Sequence, residues 1–494
     1  MTNQNYINGK LCDAVSGKRF DVINPFTEEV IDSVPRSGAE DVEAAVASSR
    51  EAWKEWRFLP GGDMRDLLRE VAVKSRERGE ELAKIMTAEV GKPLIENTDE
   101  VEWIASCFEY YSELGRDQIG RVVAPTQDKQ MSIVINEPYG VVGCIVPWNY
   151  PLLLAAWKMA PALAAGNSCI IKPSELTPLS LLRWVETCFD HFPPGVVNVV
   201  TGYGQEAGEP MVTSTGTNVI AFTGSVETGT RIATLAAAQL KKTHFELGGN
   251  DALIVCADVD VEIAARGAFW AATLNCGQVC TSAERIYVEE SVSTDFIDAV
   301  VAQAEEVELG DPMGLTTDIG PMASAEQREK IETKIAAARE QGARLMTGGK
   351  RPKRFKKGYF LEPTVLSEMN SGMEMMQKES FGPVVPVQTV SSFEEAVRLA
   401  DQSEYGLGCS LYTNDLEKAF TAAREIKAGS FWINDPLTDN EAAPFGGMRK
   451  SGGGRELGIE GLNEFREAKH ILIDYQVRRK DYWFPYDLDK GRKT

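Results

Sequence analysis

From Gly140 onward the chain repeats one unit: a short, almost wholly apolar run, a turn, then a stretch with helical spacing. Val141-Val142-Gly143-Cys144-Ile145-Val146 is the first such run, and Leu152 to Ala165 follows it as a helix. Ser168-Cys169-Ile170-Ile171-Lys172 is the second, followed by a helix from Pro178 to Asp190, and Val196 to Thr201 and Val219 to Thr223 begin the unit again. A strand that is apolar at every residue, rather than at every second one, has both faces covered. Strands that alternate with helices are joined by crossovers, which make neighbouring strands parallel. This part of the chain therefore predicts a parallel sheet with helices on both faces, in outline a dinucleotide-binding domain.

A second α/β set starts near Asp251-Ala252-Leu253-Ile254-Val255 and runs to about Asn434. It has strands at Arg285 to Val288 and Val384 to Val387, and helices at Val292 to Glu308 and Ala325 to Gln341. Ahead of both sets, Tyr6 to Lys10 reads as a hairpin turn and Asp21 to Ile23 as a strand stopped by Asn24-Pro25. Ala39 to Trp56 and Asp63 to Val90 read as amphipathic helices. Gln130 to Asn136 and His470 to Tyr475 alternate like edge strands, which commonly pair between subunits. The aromatic ending Tyr482-Trp483-Phe484-Pro485-Tyr486 is expected to pack on such a neighbour.

With 494 residues the chain is too long for one core, so several domains are expected. The net charge of −21 argues against a nucleic-acid partner, which needs clustered Lys and Arg. The most apolar region, Val141 to Ala165, is interrupted by Pro147, Asn149, Pro151, Lys158 and Pro161 and does not read as a membrane span. The N-terminus lacks the pattern of a secretory signal. Nine scattered cysteines without metal-ligand spacing fit reduced thiols in a cytoplasmic protein with no metal site.

Three short stretches carry chemistry. In Gly277-Gln278-Val279-Cys280-Thr281, small and polar residues surround a cysteine, which suits a nucleophile. The thiolate is the attacking form, so a helix N-terminus or a bound cation is expected beside it. Cys276 reads as structural. In Phe245-Glu246-Leu247-Gly248-Gly249, a carboxylate precedes two glycines that let backbone pass close to a ligand, and in a dry pocket Glu246 is a usable base for water. In Pro147-Trp148-Asn149-Tyr150-Pro151, the amide of Asn149 can hold an oxyanion or cap the following helix. Lys172-Pro173-Ser174-Glu175 ends a strand where an open α/β sheet binds nucleotide. There Lys172 can donate to ribose hydroxyls, while Glu175 accepts from a 2′-hydroxyl and repels a 2′-phosphate, favouring NAD over NADP. Phe222-Thr223-Gly224-Ser225 leads into a helix whose N-terminus suits a pyrophosphate.

These stretches, with Glu379-Ser380-Phe381-Gly382-Pro383, Pro444-Phe445-Gly446-Gly447 and Ser451-Gly452-Gly453-Gly454-Arg455-Glu456 after them in order, resemble the aldehyde dehydrogenase superfamily. The resemblance is nearest to its betaine-aldehyde and broad-specificity members. It implies a Rossmann-like cofactor domain (residues 1–118 and 139–249), an α/β catalytic domain (250–447), and a small β oligomerisation element with a tail (119–138 and 462–494). It implies Cys280 as nucleophile, Glu246 as base and Asn149 as oxyanion donor. NAD would lie against Ile145, Pro147, Trp148, Lys172, Glu175, Gly224, Ser225, Leu247, Glu379 and Phe381. It also implies a homodimer or homotetramer oxidising a small aldehyde. Tyr150, Trp157 and Phe445 would line the substrate pocket, where aromatic faces suit the ammonium group of betaine aldehyde or an aminoaldehyde. Leu274 and Phe445 stand where such enzymes often carry tryptophan, which leaves apolar aldehydes as the alternative substrates. Two further alternatives are acyl transfer to coenzyme A, opposed by Glu246, and a non-enzymatic binding protein, opposed by the intact trio.

Overall fold

The computed structural model describes residues 3–116, 120–480 and 482–485. Its largest sheet has eight strands, in the order Gly452–Gly453, Lys242–Leu247, Val219–Gly224, Val141–Ile145, Ser168–Lys172, Val197–Val199, Asn5–Ile7 and Lys10–Cys12. Those from Lys242–Leu247 to Val197–Val199 run parallel, and the hairpin Asn5–Ile7/Lys10–Cys12 and the two-residue strand close the edges antiparallel. Val141–Ile145 and Ser168–Lys172 are buried at every residue, as their unbroken apolar runs require. From Val141–Ile145 the chain builds outward in one direction through Ser168–Lys172. It then returns to place Val219–Gly224 on the other side. That reversal opens a crevice at the carboxyl ends of the strands, where open α/β sheets bind ligands.

The second sheet has seven strands, in the order Arg344–Thr347, Thr364–Ser367, Val384–Val390, Ala283–Glu289, Asp251–Val255, Gly408–Tyr412 and Ser430–Ile433, all parallel except the first. The turn Gly248–Asn250 joins the two sheets, since Lys242–Leu247 belongs to one and Asp251–Val255 to the other.

Two expectations need correcting. The stretch from Asp63 to Val90 forms two helices, Gly61–Glu77 and Gly79–Val90. They meet at Arg78, whose φ of −96° and ψ of 6° close one helix and open the next. Gly79, a poor helix former, helps to fix the break there. Gln130–Pro138 is not an edge strand. It is the middle of a three-stranded sheet, paired with Arg466–Asp474 on one side and Gly120–Val123 on the other. Among the described residues those two strands are the outer ones of this sheet. In the tail Tyr482, Trp483 and Phe484 are exposed, and Tyr486 lies outside the described residues.

Candidate active site

Cys280 follows a backbone that sequence patterns did not announce. Asn275, Cys276 and Gly277 all have left-handed backbone angles, with φ of 48°, 57° and 71°. For residues with a side chain that conformation costs on the order of 1–2 kcal/mol each, and local hydrogen bonds offset it. The Asn275 amide donates to the carbonyls of Asn149 at 3.1 Å and Gln278 at 3.2 Å, and its backbone N–H donates to Glu96 Oε2 at 3.0 Å. Gln278, fully buried, donates its amide to the Asn275 carbonyl at 3.0 Å and accepts from the N–H of Ala323 at 3.0 Å. Gly277 could not be another residue, because a Cβ there would stand 2.1 Å from the carbonyl oxygen of Gly382. The loop thus holds Cys280 part-exposed while Cys276 is buried, its thiol pushed up by burial.

Asn149 is buried, and its side-chain amide donates to the carbonyl of Gln278 at 3.0 Å. A primary amide has two N–H groups, so one bond fixes the group and leaves a second donor to use. The capping role allowed for Asn149 belongs to another residue. The first backbone N–H groups of helix Pro151–Ala164, those of Leu152 and Leu153, donate to Glu100 Oε1 at 3.1 and 3.0 Å. A carboxylate at a helix N-terminus satisfies orphan donors and meets the positive end of the dipole. Glu100 also pairs with Lys92, both side chains being fully buried, and the Lys92 ammonium lies 3.7 Å from the ring centroid of Tyr150.

Glu246 is 1% exposed, and among the described residues neither of its carboxylate oxygens has a hydrogen-bond partner. Burial, then the charge of Glu456, push its pKa up to about 8, while Lys158, Cys280 and Thr223 pull the other way. Burial and the carboxylates Glu246, Asp251, Asp439 and Glu379 likewise push the Cys280 thiol well above its ordinary range. Among the described residues no helix starts at Cys280, which follows a short helical turn ending at Gly277 and precedes the strand Ala283–Glu289. The cations that share the cleft with Cys280 are Lys330 and Lys334.

Cys280 stands where two cavities meet. One cleft is lined by Pro147, Trp148, Asn149, Gly224, Ser225, Glu246, Leu247, Glu379 and Phe381, and also by Ser380, Lys330 and Lys334. Ser225 caps the helix Val226–Ala237 with its side chain on the N–H of Thr228. Trp148 and Phe381 meet edge to face, their centroids 5.4 Å apart. Glu379 accepts from the N–H of Gly249 at 3.1 Å, and a Cβ at Gly248 would strike its carboxylate at 2.5 Å. Ile145 and Lys172 are register partners at their strand ends, with Glu175 part-exposed in the loop beyond. Lys172 donates to the Pro173 carbonyl at 2.6 Å, and burial lowers its pKa to about 8. Lys330 and Lys334 belong to the helix Ala325–Glu340, whose sequence reads as an ordinary surface helix and gives no sign of a cleft.

The other cavity, of about 300 Å³, contains Tyr150, Trp157 and Phe445 as expected for a pocket, and Leu274 beside them. Trp157 and Phe445 pack together, centroids 4.9 Å apart. Sequence reading missed Trp103 and Trp270, which line the same cavity from helices Leu94–Leu114 and Val261–Thr273. Each is 45% exposed, and Asp439 and Glu441 line the same cavity. Trp103 adds an indole that no active-site motif of the chain contains.

Comparison with known proteins fits this geometry. The model of the aldehyde dehydrogenase family matches residues 12–471. The chain is 40% identical over 481 residues to a chloroplastic aminoaldehyde dehydrogenase of Arabidopsis thaliana, covering 96% of each. It is 38% identical over 486 residues to the chloroplastic betaine aldehyde dehydrogenase of Beta vulgaris, again covering 96% of each. A crystal structure of betaine aldehyde dehydrogenase from Staphylococcus aureus in complex with NAD+ superposes with a TM-score of 0.96 at 37% identity, covering 98% of this chain and 97% of that one. With sequence and fold matched over nearly the whole length, the chain belongs to the aldehyde dehydrogenase family.

Proposed function

We propose that the chain oxidises an aldehyde to its carboxylic acid with reduction of NAD, through a thioester on Cys280. The observation that carries this is the placement of Cys280 at the junction of two cavities, in the same cleft as Asn149 and Glu246. The cleft suits the cofactor. Among the described residues the buried hydroxyl of Ser380 has no hydrogen-bond partner, and the glycine at 248 leaves backbone open against Glu379. Glu379 and Phe381 would hold the nicotinamide ribose and ring, Gly224 and Ser225 the pyrophosphate, and Lys172 and Glu175 the adenosine ribose. NAD, when bound, supplies a positive ring and accepts the hydride that leaves the former aldehyde carbon.

Cys280 Sγ adds to the aldehyde carbon as thiolate, and the oxyanion takes the second N–H of Asn149. Two donors fixed where charge develops need no reorganisation during the reaction; the backbone N–H of Cys280 is the other. Loss of hydride leaves the acyl group on sulfur. Glu246 then removes a proton from water, whose oxygen attacks the thioester carbon, and the thiolate departs with the acid as product. A base buried without a partner is poised for that role, because its proton affinity lies near working pH. Acyl transfer to coenzyme A would have no use for it.

The substrate class we infer is an aldehyde bearing an ammonium group. Support comes from the aromatic faces of Trp103, Trp157, Trp270 and Phe445, with Asp439 and Glu441 lining the same cavity. Attraction of a cation to aromatic faces contributes about 0.5–2 kcal/mol per contact. Tyr150 contributes less than its sequence suggested, because Lys92 already occupies one face of its ring. NADH formation across a panel of aminoaldehydes, betaine aldehyde and apolar aldehydes tests this: kcat/KM is expected to be highest for the cationic members. A preference for apolar aldehydes would make the rings plain tunnel wall. We also place the enzyme in the cytoplasm, on its free cysteines, and infer a dimer or tetramer joined through the outer strands of the three-stranded sheet. Among the described residues, no helix is long and apolar enough to cross a membrane.

A further inference from the structure

Beneath Glu246 lies a buried string of charged groups that reaches toward the surface. Thr223 is the register partner of Glu246, and its hydroxyl accepts from Lys158 Nζ at 2.5 Å. Lys158 also pairs with Glu456. On the far side of Glu456, His244 Nε2 lies 3.4 Å from Oε1, and His244 Nδ1 lies 3.9 Å from Glu464 Oε2. Glu464 is 17% exposed and pairs with Lys242 at 2.6 Å, so the string ends near water. Lys158, Glu456 and His244 are each no more than 1% exposed. The charged groups around His244 are Glu456, Glu464, Lys158 on its helix, and Lys242 and Glu246 on its own strand. The ring of Phe465 closes the remaining side at 5.7 Å. Gly454, at φ 98°, fixes the imidazole closely: a Cβ there would stand 2.5 Å from Nδ1.

We propose that His244 is a positioning residue that acts through Glu456 to set the basicity of Glu246, and that Glu464 keeps it in the charged form that does so. This rests on the reading of Glu246 as the base. An imidazolium against Glu456 cancels part of the negative charge that Glu246 feels. Burial pushes the imidazole pKa down, but Glu456 and Glu464 more than offset this and leave it raised. Burial pushes Glu464 up, but His244 and Lys242 hold it at about 2. The buried imidazole thus has a carboxylate on either side, hydrogen-bonded at Nε2 to Glu456, while Nδ1 faces Glu464 across 3.9 Å without a hydrogen bond.

The test uses the full-length enzyme and p-nitrophenyl acetate, an activated ester that acylates a reactive thiol without cofactor. Hydrolysis of the acyl-enzyme is followed from neutral to alkaline pH in wild type, His244→Gln, Glu464→Gln and Glu246→Gln. Without the imidazolium, Glu246 faces more negative charge and holds its proton to higher pH. His244→Gln is expected to move the midpoint of the pH profile up by roughly half a unit or more, the scale of coupling between buried charges. Glu464→Gln should move it the same way by less. Glutamine keeps a hydrogen-bonding group at 244, so a merely structural role would lower the plateau or the melting temperature and leave the midpoint in place. An unmoved or lowered midpoint in both variants overturns the proposal. A pH profile that survives in Glu246→Gln overturns the reading of the base itself.

Discussion

At the scale of single residues, the site separates the two halves of the proposed reaction. Glu246→Gln removes the base but not the nucleophile or the oxyanion donor. Hydride transfer should persist as a single burst of NADH, with later turnover slowed about a hundredfold or more in stopped-flow measurements. Because a base must be unprotonated to act and the Glu246 pKa is raised to about 8, acyl-enzyme hydrolysis should quicken as pH rises from neutral through that value. Asn149→Ala should lower kcat about a hundred- to a thousandfold while KM moves little, since its free N–H meets charge that develops during reaction. The motifs that carry Cys280, Glu246 and Asn149 stood out in the sequence because each is short and of unusual composition, and the structure brings the three residues to one cleft. Lys158, His244 and Glu456 were not legible together. They lie far apart in the chain, and only the pairing of Lys242–Leu247 with its neighbours brings them into contact.

At the scale of elements, the loop before Cys280 and the start of helix Pro151–Ala164 are the sensitive places. Gly277→Ala should destabilise by about 3 kcal/mol or more, because the methyl meets the Gly382 carbonyl and the left-handed backbone resists a side chain. Calorimetry should show a lower melting temperature, and the surviving folded fraction should have lost activity. Glu100→Ala should cost about 3–5 kcal/mol, since it leaves Lys92 buried without its partner and strips the helix start of its acceptor. The apolar strands Val141–Ile145, Ser168–Lys172 and Asp251–Val255 were readable because burial on both faces leaves an unbroken run. Glu100 was not readable as a cap. It precedes the helix it serves by some fifty residues, and capping rules look only at the neighbouring chain. The break at Arg78 escaped for a related reason: the apolar spacing continues through it, and only the backbone angles show two helices.

At the scale of the whole molecule, the three-stranded sheet leaves Gly120–Val123 and Arg466–Asp474 as its outer strands, with Val122, Leu472 and Ile473 exposed on them. Outer strands with exposed apolar side chains are suited to pairing with another copy. Sedimentation should show a dimer or tetramer, and Leu472→Asp should shift it toward monomer. A wild type that is monomeric at micromolar concentration would refute this. The order of strands along the chain made the α/β class readable, but the pairing of Gln130–Pro138 with a strand over three hundred residues later was not. Alternation reports that one face is wet; it does not report which partner lies alongside.

The proposed reaction passes through a thioester on Cys280, which can be trapped. Glu246→Gln would be mixed with NAD and an aminoaldehyde, quenched in acid after the NADH burst, digested and analysed by mass spectrometry. An added acyl mass is expected on the peptide that carries Cys280, in proportion to the NADH formed. NADH formation with that peptide unmodified, or with the acyl group on another residue, would contradict it.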